Sequence, residues 1–165
     1  MPAGRTYTPI ARQTLNSDAA SVTFSSIPST YTDLILVASI KGSTNDFEIL
    51  LQFNSDTTTN YSHTFLYGTG STAGSSRGSN QSAVRIGSGN SNTNFDTYIA
   101  NIQNYANTTT YKTVISREAS SGIVVSTTVG LWRKTPEAIN TILIKRGNGN
   151  LVSGSTFTLY GIAAA

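Results

Sequence analysis

Short alternations of apolar and polar residues recur along most of the chain. In "ASVTFSSI", Ala20, Val22 and Phe24 alternate with Ser and Thr, which is typical of a strand with one buried face. The same kind of pattern, rich in Thr, Tyr, Val, Ile and Phe, predicts ten strands. They lie in Ala20–Ile27, Asp33–Ile40, Phe47–Phe53, Tyr61–Tyr67, Ser82–Gly87, Phe95–Tyr105, Tyr111–Glu118, Gly122–Trp132, Ile139–Arg146 and Ser155–Ala163.

These strands are short and are separated by polar turns, which favours an all-β fold: an antiparallel two-sheet sandwich of about ten strands. No segment has a sustained 3.6-residue period, and "TPEAIN" (Thr135 to Asn140) is at most one helical turn. "DLILVASI" (Asp33 to Ile40) is apolar on both faces, so we expect this strand to lie centrally. Residues 1–19 contain two prolines and little alternation, which predicts an N-terminal arm or a loosely attached edge segment before a sandwich domain of residues 20–165.

The composition predicts an adhesive surface of hydroxyl and amide groups. The chain contains 25 Thr, 22 Ser and 14 Asn, whereas only 12% of its residues are charged. Such a surface binds through many short hydrogen bonds that depend little on salt. The net charge is +3, but the only adjacent basic pairs are Arg133-Lys134 and Lys145-Arg146, so we expect no nucleic-acid partner.

The sequence also indicates in which compartment the chain is synthesised and whether it inserts into a membrane. There is no cysteine, which excludes a disulfide or thiolate-metal framework. The first residues lack the apolar core of a signal peptide. The longest apolar run, Leu34 to Ala38, is far shorter than the ~20 residues of a membrane span. We therefore expect synthesis in a cytoplasm and no membrane partner.

Candidate chemistry is sparse. His63 is the one histidine and lies among aromatic residues, which favours an ordinary packed strand residue, and no G-x-S-x-G or H-E-x-x-H motif occurs. "GTGSTA" (Gly68 to Ala73) matches G-x-G-x-x-A, but "GSSRGSN" follows and cannot continue a helix. "NSDTTTN" and "GNSNTNFD" supply oxygen ligands suited to weak Ca²⁺ binding, yet lack the features of a dedicated loop. We expect no enzyme activity, cofactor or metal.

A Gly/Ser-rich stretch, "YGTGSTAGSSRGSNQSAVRI" (Tyr67 to Ile86), separates two of the predicted strands. Its small and polar residues predict a long inter-strand loop. Loops longer than ~12 residues are usually functional or disordered. We expect this loop to become ordered against a neighbouring chain in a multimer.

Three segments resemble a domain that is widespread in tailed phages, especially those of cyanobacteria. The segments are "ASVTFSSIPSTYTDLILVASIKG" near the start, "NYSHTFLYGTGS" in the middle and "TFTLYGIA" at the end, and "GLW" (Gly130 to Trp132) fits the same pattern. Together they bracket most of the chain. The resemblance implies a virion β-domain, with a jelly-roll-like arrangement of the two sheets.

In that family the domain occurs in two settings. One is a short capsid decoration or cement protein, typically a homotrimer on the capsid exterior, whose partner is the major capsid protein. The other is the distal tip of a tail fibre or appendage. No coiled coil or repeat array precedes the domain here, which favours the decoration protein and a location on the capsid exterior. The alternative is a receptor-binding module that recognises a host-surface glycan.

Seven residues are candidates for a partner interface because they combine aromatic rings or cations with the predicted arm, loop or strand end. They are Arg5, Tyr7, Arg12, Tyr67, Arg77, Trp132 and Arg133. For Trp132 two interpretations stay open. With Tyr67 and the Asn-rich loops it could form a shallow sugar site, but a lone Trp at a strand end more often fills the edge of a sandwich core.

Overall fold

The protein is an all-β sandwich of antiparallel strands. The structure, a computed structural model, describes residues 6–44, 47–89, 92–121 and 124–163. Within these residues all the regular secondary structure is β-strand. The described residues include no helix that is long and apolar enough to cross a membrane. The strands are β1 (Tyr7–Thr14), β2 (Ser21–Phe24), β3 (Asp33–Ile40), β4 (Phe47–Phe53), β5 (Tyr61–Gly68), β6 (Ala73–Gln81), β7 (Val84–Gly89), β8 (Asp96–Gln103), β9 (Lys112–Ala119), β10 (Val125–Trp132), β11 (Ile142–Arg146) and β12 (Thr156–Ile162).

The strands form two sheets. The larger sheet has eight strands in the order β1-β12-β3-β8-β9-β10-β5-β6, and the smaller has four in the order β2-β11-β4-β7. The predicted central position of β3 is confirmed, since this strand pairs with β12 on one side and β8 on the other. Residues 133–141, which include "TPEAIN", form a bend and irregular backbone without a helical turn.

The core lies between the sheets and follows from the alternation along each strand. Leu34 and Leu36 of β3 and Phe157 of β12 point inward from the large sheet, and Ile49 and Leu51 of β4 point inward from the small one; all five are completely buried. Burial of the apolar side chains of this core is the main source of the stability of the fold, at roughly 25 cal/mol per Å² of apolar surface.

A glycine brings β7 of the small sheet close to β10 of the large one. A Cβ placed on Gly130 would lie 1.9 Å from a methyl group of Val84. Any side chain at position 130 would therefore push the sheets apart. This explains the glycine of "GLW" without any role in binding.

Two of the twelve strands, β1 and β6, lie outside the ten predicted ones. The prediction of a long loop after Tyr67 is wrong, because only Thr69 to Thr72 form the turn and residues 73–81 form β6. The amide of Thr69 donates to the carbonyl of Thr72 over 2.9 Å, and Gly70 has a φ of +82°. "GTGSTA" is therefore the turn of a β-hairpin.

Glycines in β6 allow aromatic rings of β5 to lie across it. A Cβ on Gly74 would be 2.7 Å from the hydroxyl oxygen of Tyr67, and one on Gly78 would be 2.8 Å from the ring of His63. The rings cover backbone that has no side chains of its own, an arrangement known to stabilise glycine in strands. The polar sequence of β6 therefore forms a strand because the aromatic rings of β5 pack against it.

The predicted arm of residues 1–19 includes an edge strand. β1 pairs with β12 from Tyr7 to Thr14, with an irregularity between Pro9 and Ala11. Ile10 and Ala11 pack against the core and Leu15 is buried in it. Pairing thus incorporates residues 7–14 into the large sheet.

Candidate functional site: the outer face of the eight-stranded sheet

One side of the eight-stranded sheet has no second sheet packed on it. We call this side the outer face. Because side chains alternate along a strand, the residues between the inward-pointing ones point to it. The registers align them in rows across the sheet. One row is Arg77, Thr64, Val129, Ile115, Asn101, Ile35 and Tyr160, and the next is Ser75, Leu66, Thr127, Arg117, Ile99, Val37, Thr158 and Arg12.

Large apolar side chains are exposed on this face. Leu66 is 55% exposed, Val125 57%, Val129 53% and Ile115 38%. With Tyr7 at the edge, five of the seven large hydrophobic residues that are exposed within the described ranges lie here; the other two, Phe95 and Tyr111, lie in loops. Leu66, Ile115, Val125 and Val129 lie on the adjacent strands β5, β9 and β10, and an exposed apolar patch of this kind on a sheet is typical of an interaction site.

Shallow depressions lie on the same face among the described residues. One of about 410 Å³ lies between β10, β5 and β6, where Ser62, Arg77 and Leu131 contribute to its lining. A second of about 400 Å³ lies along Leu66 and Val125, towards the β5–β6 turn. A third of about 200 Å³ includes Ile99 and Arg117. The depressions are open, so they suit contact with a protruding surface better than enclosure of a small molecule.

The charges on the outer face are mainly positive. Arg12, Arg77 and Arg117 are exposed there, on β1, β6 and β9. The strand residues described on this face include a single acid, Asp33, and its carboxylate accepts a hydrogen bond from the amide of Asn104 over 2.7 Å. Arg117 and Arg12 are four strand spacings apart, or about 19 Å. The face therefore combines apolar and hydroxyl groups with isolated cations.

The structure places three of the predicted interface residues on this face. Tyr7, Arg12 and Arg77 point outward, although β1 and β6 are its opposite edges, and the rings of Tyr7 and Tyr160 contact edge-to-face at 6.4 Å. Arg5 lies outside the described residues. Arg133 lies in the segment after β10, where its guanidinium donates to the side-chain oxygen of Asn80 over 3.1 Å.

Trp132 is a core residue. It is 2% exposed and packs against Phe53 and Tyr61, with ring centroids 5.5 Å and 6.2 Å away. Its indole nitrogen donates to the carboxylate of Asp56 over 2.8 Å. The core interpretation is confirmed, and this corrects the prediction that Trp132 lies at an interface, since a buried ring cannot stack on a sugar or a partner.

Asp56 organises the loop between β4 and β5. Its carboxylate also accepts hydrogen bonds from Thr58 and Asn60. Burial alone would raise the pKa of Asp56, but these bonds and that of Trp132 stabilise the charged form and hold the pKa well below its ordinary value. The carboxylate therefore holds this loop against the core.

Tyr67 points inward, together with other aromatic residues of β5. His63, Phe65 and Tyr67 form a half-buried row on β5, as the alternation predicts, and the guanidinium of Arg85 stacks over Phe65 at 3.9 Å. Burial and the nearby Arg85 lower the pKa of His63, so the ring stays neutral near pH 7. This row closes the side of the sandwich where β7 ends the smaller sheet.

Buried charged groups elsewhere have structural roles. The ammonium of Lys112 donates to the carbonyls of Asn107 and Thr110, over 2.6 and 2.7 Å, and burial lowers its pKa. Arg146 donates to Thr44 and Asn150 and so joins two loops. Within the part of the chain that the structure describes, no three His, Asp or Glu side chains come together in a way that could hold a metal ion.

The exposed residues of the outer face, such as Val125, Val129 and Ile115, were missed from the sequence. The signal was present, because apolar residues stand at consecutive positions within β9, at Val114-Ile115, and at the start of β10, at Val124-Val125. Such doublets indicate either a strand buried on both faces or one with an exposed apolar face. Only the sheet packing distinguishes the two.

The fold and this face define a class: an all-β antiparallel sandwich whose larger sheet has exposed apolar residues on its outward side. No protein-family model matches the chain, and no curated protein matches it. Among solved structures it is similar to a toad ovary galectin complexed with thio-digalactose (9% identity, TM-score 0.38, 84% of this chain and 98% of that one). It is also similar to a Caenorhabditis elegans galectin, at 10% identity and a TM-score of 0.35, over 98% of this chain and 99% of that one. A third similar structure is a bifunctional GH43-CE protein of Bacteroides eggerthii, at 10% identity and a TM-score of 0.36, over 81% of this chain and 18% of that one. Likeness at this level gives no information about function.

Proposed function

We propose that this chain is a structural protein of a phage virion: a capsid decoration protein that binds the outside of the head and stabilises contacts between major capsid subunits. The sequence resemblance described above supports the virion class. The observation that supports binding is the outer face, an uncovered sheet surface with exposed Leu66, Ile115, Val125 and Val129. The proposal assigns the protein no catalysis and no cofactor.

The size of the outer face suits this role. Its eight strands have seven to nine residues each. With strands ~4.8 Å apart and ~3.3 Å per residue, the face measures about 34 by 25 Å, on the order of 850 Å². A standard protein–protein interface buries about 800 Å² on each partner. One outer face is therefore large enough for one specific interface.

The strength of binding would come from repetition. Apolar burial contributes roughly 25 cal/mol per Å², but the costs of association and polar desolvation remove most of it. A single outer face is then a moderate binder. We propose a homotrimer, in which three faces dock on one capsid lattice and the second and third contacts form at high effective concentration.

Copy number and position in the particle test this proposal. Purified particles of the phage that encodes the chain should contain it in a fixed, high ratio to the major capsid protein, and immunogold labelling should decorate the head. A few copies located at the tail would contradict the proposal and would support the receptor-binding alternative. A glycan array with the purified chain then tests that alternative directly.

A further inference from the structure

We infer that the outer face binds a folded protein surface that presents a carboxylate opposite Arg117. This inference rests on the proposed function and names the chemistry of the partner at that site. It follows from the position of Arg117, from the lack of an acid among its described neighbours in the sheet, and from the apolar surroundings.

Arg117 occupies the middle of the outer face. It lies on β9, the fifth of eight strands, opposite Thr127 of β10 and Ile99 of β8. Its neighbours along β9 on the same side are Ile115 and Ala119. A cation at this place would be at the centre of any interface formed by the whole face, where water is excluded and charged groups affect affinity most.

None of the described strand residues next to Arg117 on this face is an acid. Thr127 and Ile99 cannot balance a charge, and the hydroxyl of Thr127 already donates to the carbonyl of Ser116 over 2.9 Å. Glu118, the next residue, points to the opposite side of the sheet and is buried. Covering Arg117 with an apolar surface would leave a buried unpaired cation, which costs several kcal/mol. Its partner must therefore supply the negative charge.

The same argument excludes a second copy as the occupant. Two outer faces packed together would place six arginines in one interface, with Asp33 as the acid described on each face. Like charges juxtaposed in an interface cost several kcal/mol. The face is complementary to an acidic or neutral partner, not to itself.

The apolar residues favour a protein over a glycan. Val129, Leu66 and Ile115 lie on β10, β5 and β9, in the part of the face that includes Arg117 and Arg77. They would contribute nothing to binding a polyanionic sugar chain, which has few apolar groups. Neutral sugars bind best to exposed aromatic rings, and the strand centre of the outer face has aliphatic side chains instead. A protein surface that combines apolar contacts with one carboxylate uses both features of the face.

Affinity measurements with heads that lack this chain test the inference. Arg117→Glu should weaken binding by about 30-fold or more, and Arg117→Gln should weaken it less and reduce the salt dependence. Lys145→Glu is the matched control, because Lys145 lies on the outward side of the four-stranded sheet, and it should change affinity by less than about twofold. Thermal melting checks that each variant is folded.

Cross-linking identifies the predicted carboxylate. Arg117→Lys places an amine at the centre of the face, and a carbodiimide should join it to an aspartate or glutamate of the capsid protein, detectable by mass spectrometry. If the parent chain binds heads and Arg117→Glu binds equally well, the inference is wrong while the proposed function stands. If the parent chain does not bind heads, both are wrong. Arg117-dependent binding to alginate beads, without binding to heads, would show an acidic glycan instead.

Discussion

The buried charged residues of this protein hold loops in place, and Asp56 is the clearest example. Its carboxylate accepts hydrogen bonds from Trp132, Thr58 and Asn60 and so joins the β4–β5 loop to the core. The role of Asp56 could not be predicted from "NSDTTTN", because Trp132 lies 76 residues away in the sequence. The signal in that run, a set of oxygen ligands, fits a turn as well as it fits a metal.

We expect Asp56→Asn to lower the free energy of unfolding by about 2–3 kcal/mol, because an amide cannot replace an ionised acceptor of several buried hydrogen bonds. The folded-state pKa of Asp56 is lowered, so its contribution is present above the unfolded pKa of about 3.9 and is lost as pH falls below it. Urea unfolding at pH 7 and between pH 4 and 2.5 measures both effects.

The control for this substitution is Asp18→Asn. Asp18 is exposed and accepts one hydrogen bond, from the amide of Ser153. Its replacement should cost less than about 1 kcal/mol. Equal costs for the two variants, or an unchanged acid dependence in Asp56→Asn, would show that Asp56 does not organise the loop.

At the scale of elements, the ten strands with apolar alternation were predictable and the other two were not. β6, with the sequence "AGSSRGSNQ", has the composition of a loop, and its strand form depends on the rings of β5. β1 has two features that disfavour a strand, Pro9 and few apolar residues, yet it pairs as an edge strand. In both cases tertiary contacts outweigh local propensity.

Tyr67→Ala should therefore loosen β6 specifically. Without the ring that covers Gly74, the amides of Ala73–Gln81 should exchange hydrogen at least about tenfold faster, while those of β12 should be unchanged. Hydrogen–deuterium exchange with mass spectrometry measures this. Tyr111→Ala, which removes an exposed ring from a loop, is the control and should leave β6 as it is. Unchanged exchange in Tyr67→Ala would mean that β6 is stable by itself.

At the scale of the whole molecule, the central feature is the asymmetry of the sandwich. A four-stranded sheet covers the inner side of an eight-stranded one, and the other side of the larger sheet is uncovered. The fold class followed from strand spacing, but strand order did not, because pairs such as β3–β12 and β5–β10 join distant segments. Without strand order, Val125, Val129 and Ile115 could not be assigned to one surface.

Cysteine labelling tests directly whether the outer face is the binding surface, since the chain has no cysteine of its own. Val129→Cys should react with a maleimide in the free protein and at least about tenfold more slowly when the protein is bound to heads. Thr23→Cys, exposed on the outward side of the smaller sheet, should react at the same rate in both states. Rapid labelling of Val129→Cys on bound protein would contradict the account, because the outer face would then be free.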